Sequence, residues 1–138
     1  MLSAETMSGR VDSTSPWYHR RSSSIDERIR TTLAEIQSQC ETISALMERF
    51  GDDIEDFITD DAYNMSCTFA LMQIGEHVKR IDTWLNDNCD TVDWNSICRF
   101  RDLVAHNYGK VSKKIVWNIM TEDIPVMKET ITSLIGNQ

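Results

Sequence analysis

Ile29, Leu33, Ile36, Cys40, Ile43, Met47 and Phe50 alternate spacings of four and three residues through three heptads. A strand, with its period of two, would scatter such a set over both faces. A helix of 3.6 residues per turn gathers all seven into one stripe. The segment is therefore expected to fold as one long helix laid along another long helix. Ser24-x-x-Glu27 makes a capping box at its start, and Gly51 marks its stop.

The rest of the chain follows the same period. A second long helix is expected from about Asp60 to Leu85, with Met65, Phe69, Met72, Val78 and Ile81 turned inward and its methionines serving as core filler. Gly75 in its interior costs about 1 kcal/mol relative to alanine, so a close helix contact is expected there as compensation. Asp93 caps a third helix bearing Trp94, Ile97, Phe100 and Val104, and Ser112 caps another through Ile115, Val116 and Ile119. Pro125 suits the first turn of a last helix, capped near Thr121 or Asp123 and ending at Gly136. No alternating strand pattern occurs. The expectation is an all-α, up-and-down bundle of four to five helices over residues 24–138.

With 138 residues, 41% of them hydrophobic, the chain can bury one ordinary core. Residues 1–23 are rich in serine and threonine without periodicity and read as a flexible tail, in which Trp17 and Tyr18 are the only pair able to dock on a surface. No apolar run approaches the roughly 18 residues of a membrane span. His19-Arg20-Arg21 is followed by Ser22-Ser23-Ser24, not by the hydrophobic stretch that a twin-arginine signal needs, so a cytoplasmic protein is expected. Cys40, Cys67, Cys89 and Cys98 form no Cys-x-x-Cys pair, and with three scattered histidines they give no metal-ligand spacing. Reduced thiols and no metal are the expectation.

The net charge of −8 disfavours general nucleic-acid binding, which draws its affinity from Lys and Arg. The distribution matters more than the total. Asp52 to Asp61 holds six acids and no base, whereas Arg99, Arg101, Lys110, Lys113 and Lys114 face Asp102 alone between positions 99 and 114. A small cationic patch on an acidic body suits a few phosphate contacts better than the wrapping of a duplex.

Inside that patch lies Arg101-Asp102-Leu103-Val104-Ala105-His106-Asn107-Tyr108. A permanent cation, an imidazole and a phenol within eight residues are what an RNA-cleaving site would want: arginine holds a phosphate through a forked pair of donors, and histidine moves a proton near neutral pH. On an ideal helix Arg101 and Tyr108 share a face, Arg101 and His106 point about 140° apart, and Asp102 lies one turn from His106, able to fix its tautomer. The site therefore needs a helix end near His106, for which Gly109 speaks, or a second subunit, or both. One histidine cannot easily act as both base and acid in one step, which favours a symmetric homodimer.

The spacing Arg, four residues, His, one residue, Tyr resembles the motif of the HepT-like branch of the HEPN toxins. Ile74-Gly75-Glu76-His77-Val78-Lys79 is similar to that family's Ile-Gly-Glu-Ala-x-Lys segment, with His77 departing where alanine is usual. Asp93-Trp94 before the motif, and Val116-Trp117 with Asp123-Ile124-Pro125 after it, keep the family's order of landmarks; the resemblance spans about residues 24–136. It implies a HEPN-like helical domain and a metal-independent endoribonuclease toxin of a type VII-like toxin–antitoxin pair, working without a cofactor. Arg101 and His106 are then the candidate catalytic residues and Asp102 their support, with Arg99, Lys110 and Lys113 as RNA phosphate contacts. It further implies a nucleotidyltransferase antitoxin that transfers AMP onto Tyr108. The competing expectation is a non-catalytic helical partner that docks a nucleotidyltransferase and holds its nucleotide through Arg101 and Lys110.

Overall fold

The computed structural model describes residues 26–136, all helix, turn or loop, without a strand among them. The expected tail, with Trp17 and Tyr18, and the expected capping residue Ser24 lie outside the described residues. The helices, in chain order, are α1 (Glu27–Phe50), α2 (Ile54–Thr59), α3 (Asp61–Arg80), α4 (Asp82–Asn88), α5 (Trp94–Asn107), α6 (Lys113–Asn118) and α7 (Ile124–Gly136). By its contacts the chain divides near Thr31. Of the first part, the described residues form the opening turn of α1, where Asp26 Oδ1 accepts the Ile29 N–H at 2.9 Å. The acceptor at this end is thus Asp26, and α1 begins at Glu27.

From Thr32 onward the segments make four rods that alternate in direction. Glu35 sits 3.9 Å from His77 and Phe50 stacks on Tyr63, so α1 and α3 are antiparallel. Gly75 of α3 lies against Ile97 and Arg101 of α5, while Lys113, just beyond α5, reaches Asp61 at the start of α3. Gln37 donates to Thr132 at 2.8 Å, and Ser44 shares a surface groove with Pro125, which runs α7 back along α1. Leu33, Ile36, Cys40 and Ile43 of the α1 seam are fully buried. Each such aliphatic side chain contributes roughly 2 kcal/mol by leaving water, which is why the heptad stripe governs the packing.

Three departures from the expected elements have local causes. The acidic stretch is not a bare turn: Asp53 and Asp60 cap α2 and α3 with their carboxylates, turning repelling charges into acceptors for free helix N–H groups. The second long helix breaks at Ile81, whose N–H bonds to Val78 O, and resumes as α4 with Ile81 and Leu85 both buried. The last two helices are not separately capped at Thr121 or Asp123. A π turn over Ile119–Asp123, with the Ile124 N–H reaching Ile119 O, joins α6 to α7. Pro125 has no N–H to offer the preceding turn, and this wider turn absorbs the mismatch without ending the rod.

α3 carries the largest correction. Its buried stripe is Tyr63, Cys67, Ala70, Leu71, Ile74, Val78 and Ile81, whereas Met65 and Phe69 are 53% and 58% exposed. Val78 and Ile81 belong to the first stripe, Met65, Phe69 and Met72 to another on the opposite side of the helix. A search for one apolar face merges the two.

Beneath Gly51, Phe50, Phe57, Tyr63 and Trp117 form an aromatic cluster with ring centroids 5.0–6.4 Å apart. The Tyr63 hydroxyl donates to Gly51 O at 2.7 Å. Gly51 ends α1 at φ +109°, and an added Cβ would sit 3.2 Å from Asp56 Oδ2. Gly51→Ala is therefore expected to lower unfolding stability by about 1–3 kcal/mol. Thermal denaturation measures this directly, and an unchanged midpoint would show that the turn relaxes without strain.

Candidate active site

The close α3–α5 approach anticipated from Gly75 is present, and it is Arg101 that occupies the space. A Cβ on Gly75 would overlap Arg101 Cβ and stand 3.2 Å from Ile97 O. The missing side chain lets the α5 backbone settle against α3 and brings the root of Arg101 into a fixed seat. From there Arg101 Nη2 donates to Glu76 Oε2 at 2.7 Å and Nη1 donates to Asp102 Oδ1 at 2.9 Å. Lys79 Nζ stands 3.6 Å from the same Asp102 oxygen.

This four-charge cluster pairs two cations with two carboxylates. The hydrogen bond from Arg101 holds the Glu76 carboxyl below the usual carboxylate range, and it does the same for Asp102. In return, the bonds to Glu76 and then Asp102 push the Arg101 guanidinium upward. Arg101 is thus a permanent, oriented cation. Its Nε–H is buried and has no partner among the described residues.

Asp102 does not perform the expected service for His106. Its carboxylate is taken by Arg101 and Lys79, and no hydrogen bond joins it to His106 among the described residues. Nor does a helix end bring His106 toward Arg101. α5 ends only at Asn107, beyond both residues, so the two side chains keep their divergence of about 140°. The stop comes from Asn107, at φ −157° and ψ 72°, and Gly109 has no positive φ and almost no neighbour for a Cβ.

His106 is exposed on the outer ridge of α5, and Tyr108, in the 3₁₀ turn Tyr108–Lys110, is 45% exposed. Arg99 lies seven positions before His106, on the same ridge, and donates to Ser96 Oγ at 2.8 Å. It therefore accompanies His106, not Arg101. Lys110 is exposed in the turn, while Lys113 is drawn to Asp61 at 3.8 Å and to Ile58 O at 3.4 Å. One chain thus divides the motif into an arginine side, against α3, and a histidine ridge facing solvent.

Glu76 is the residue that sequence reasoning passed over. It stood inside the Ile-Gly-Glu landmark without a role, and nothing in its local spacing pointed to Arg101, 25 positions away. Met65, Phe69, Met72 and Glu76 follow spacings of four, three and four, so the exposed apolar stripe of α3 leads directly to the carboxylate that holds Arg101. The four cysteines are free. Burial pushes the Cys40 and Cys67 thiols up to about 12, which removes them from chemistry near neutral pH.

Comparison with known proteins gives the family of the chain. The family model described as Ribonuclease HepT-like matches residues 36–134, well over half the chain and all of the site. The chain belongs to the HepT-like ribonuclease family. A protein of Caldanaerobacter subterraneus subsp. tengcongensis, provisionally named an RNase, is 29% identical over 110 residues, covering 79% of this chain and 96% of that protein. A Thermococcus cleftensis protein, provisionally named ribonuclease HepT, is 33% identical over 85 residues, covering 60% and 77% respectively. No solved structure matches. Among the described residues no helix is long and apolar enough to cross a membrane.

Two effects compete at Gly75. Alanine raises helix propensity by about 1 kcal/mol, whereas overpacking a tight contact costs about 1–3 kcal/mol. The overlap falls on Arg101 Cβ and the α5 backbone, not on a flexible tip, so overpacking is expected to win and Gly75→Ala to be the less stable protein in denaturant unfolding. A stabilised variant would mean that α3 and α5 separate freely.

Proposed function

We propose that this chain is a metal-independent endoribonuclease toxin acting in the cytoplasm as a homodimer. The observation that carries this reading is an oriented, solvent-bordering Arg101 on the same helix as an exposed His106, which has no partner among the described residues, in a HepT-like ribonuclease domain. In the reaction, His106 takes the proton from a ribose 2′-hydroxyl. The 2′ oxygen then bonds to the adjacent phosphorus, the bond to the 5′ oxygen breaks, and that oxygen leaves with a proton taken from solvent water. Arg101 neutralises the charge that gathers on the phosphorane. Since Arg101 and His106 diverge within one chain, a two-fold related copy would set the histidine ridge of one subunit against the arginine side of the other. Exposed Met65 and Phe69 with half-buried Met72, in line with Glu76 on α3, supply an apolar surface for such a pairing.

The proposal includes control by a nucleotidyltransferase antitoxin that transfers AMP onto Tyr108. The phenol is exposed in a tight turn past the helix, where an enzyme can reach it, and an added phosphate beside Lys110 and His106 would repel RNA and fill its place. The non-catalytic alternative has less support, because no contact among the described residues brings Arg101 and Lys110 together to hold a nucleotide.

Purified protein is expected to cleave RNA in the presence of a chelator, and Arg101→Ala and His106→Ala to abolish cleavage while leaving the fold intact. Mixing the two inactive variants is expected to restore part of the activity, because a mixed dimer regains one complete cleft. Retained cleavage in folded His106→Ala would remove the role given to the imidazole; a monomer of 15.9 kDa with full activity would remove the shared cleft.

For Tyr108, incubation with the cognate nucleotidyltransferase and ATP should add units of roughly 329 Da, as one AMP per modification requires. Tyr108→Phe is expected to gain none and to retain cleavage. Modification of Tyr108→Phe would place the acceptor elsewhere.

A further inference from the structure

We propose that Glu76 is a positioning residue that selects which edge of Arg101 meets the scissile phosphate; this rests on the reading of Arg101 as the phosphate-binding cation. A guanidinium has five N–H donors and can grip a phosphate side-on, through Nε and one terminal nitrogen, or end-on, through Nη1 and Nη2. Here the side-on edge is closed. Arg101 Nε is buried away from solvent and has no partner among the described residues. Glu76 takes one N–H of Nη2 and Asp102 one of Nη1, which leaves a second N–H on each terminal nitrogen. Two carboxylates on two different helices, α3 and α5, thus fix both the plane and the rotation of the group. Gly75, one residue before Glu76, sets the depth at which Arg101 is seated.

Asp102 alone would not suffice. It is the neighbour of Arg101 in sequence, moves with the same helix, and is shared with Lys79. Glu76 is the anchor outside α5. Its charge has a second effect: Glu76 and Asp102 offset Arg101 and Lys79, so an arriving RNA meets a nearly neutral cluster. Removing the Glu76 charge should therefore favour RNA binding while freeing the guanidinium to rotate. A positioning residue predicts that kcat falls while KM holds or falls with it, a combination that general structural damage does not produce.

The test is steady-state cleavage of a short single-stranded RNA by the wild-type full chain, Arg101→Ala, Glu76→Gln and Glu76→Ala, with thermal melting of each. Glu76→Gln keeps the shape and one acceptor, so it remains informative if Glu76→Ala fails to fold. The expected result is a fall in kcat of roughly tenfold or more for Glu76→Gln at unchanged or lower KM, as loss of orientation without loss of binding requires. In an Arg101→Lys background the same change should cost little further, because an ammonium has no plane to orient. Unchanged kcat in folded Glu76→Gln would reduce the contact to a surface ion pair and overturn the proposal. Raised kcat would overturn it too, by making Glu76 a restraint on activity, and a rise in KM alone would make it a binding group. Full cleavage by Arg101→Ala is the separate outcome that would sink the underlying reading of Arg101, whatever Glu76 does.

Discussion

The contact of Gly75 with Arg101 is the constraint on which the site depends. An ordinary side chain at position 75 would hold α5 away from α3, and the arginine would extend into solvent with its rotamers free. With hydrogen in that place, the stem of Arg101 is packed, its Nε is enclosed, and its terminal nitrogens reach carboxylates on two helices. The helix propensity sacrificed at position 75, about 1 kcal/mol, is of the same order as the rotamer freedom of an arginine, about 2 kcal/mol, which this seat removes during folding.

That arrangement explains why the motif is spread over two sides of α5. A helix cannot turn residues five apart onto one face, and α5 stops only at Asn107, after His106. What one chain does instead is build each half of the site on a different physical basis. Arg101 is seated by packing and ion pairs; His106 and Tyr108 stand on open surface where a partner or substrate can approach them. In the proposed dimer, completing the site would be a matter of association and not of folding.

Much of the architecture was legible because helical periodicity and capping are local. The α1 seam, the stop at Gly51, the Asp93 and Ser112 caps and the tight contact at Gly75 could all be read from spacing. The face of α3 could not. Two apolar stripes lie on opposite sides of that helix, and only the neighbours decide which is covered, so periodicity alone points Met65 and Phe69 inward whereas the fold leaves them outside. Tertiary partnership was hidden in the same way. Asp102 is one turn from His106, which suggested a pair, yet Arg101 and Lys79 take its carboxylate, and Glu76 came from a helix 25 residues upstream. The π turn before Pro125 was invisible because a proline signals a boundary far more often than a widened turn.

The exposed stripe of Met65 and Phe69 has a colloidal consequence when set beside the charge of the chain. At −8, two copies repel one another at distances beyond contact, and this keeps an apolar surface from drawing chains together indiscriminately. Added salt screens that repulsion while leaving apolar attraction in place, so self-association through the stripe would strengthen as ionic strength rises. Attraction between Lys or Arg and RNA phosphates weakens over the same range. The two encounters that a working site would require, chain with chain and chain with RNA, would therefore respond to salt in opposite directions, leaving an intermediate ionic strength at which both are met.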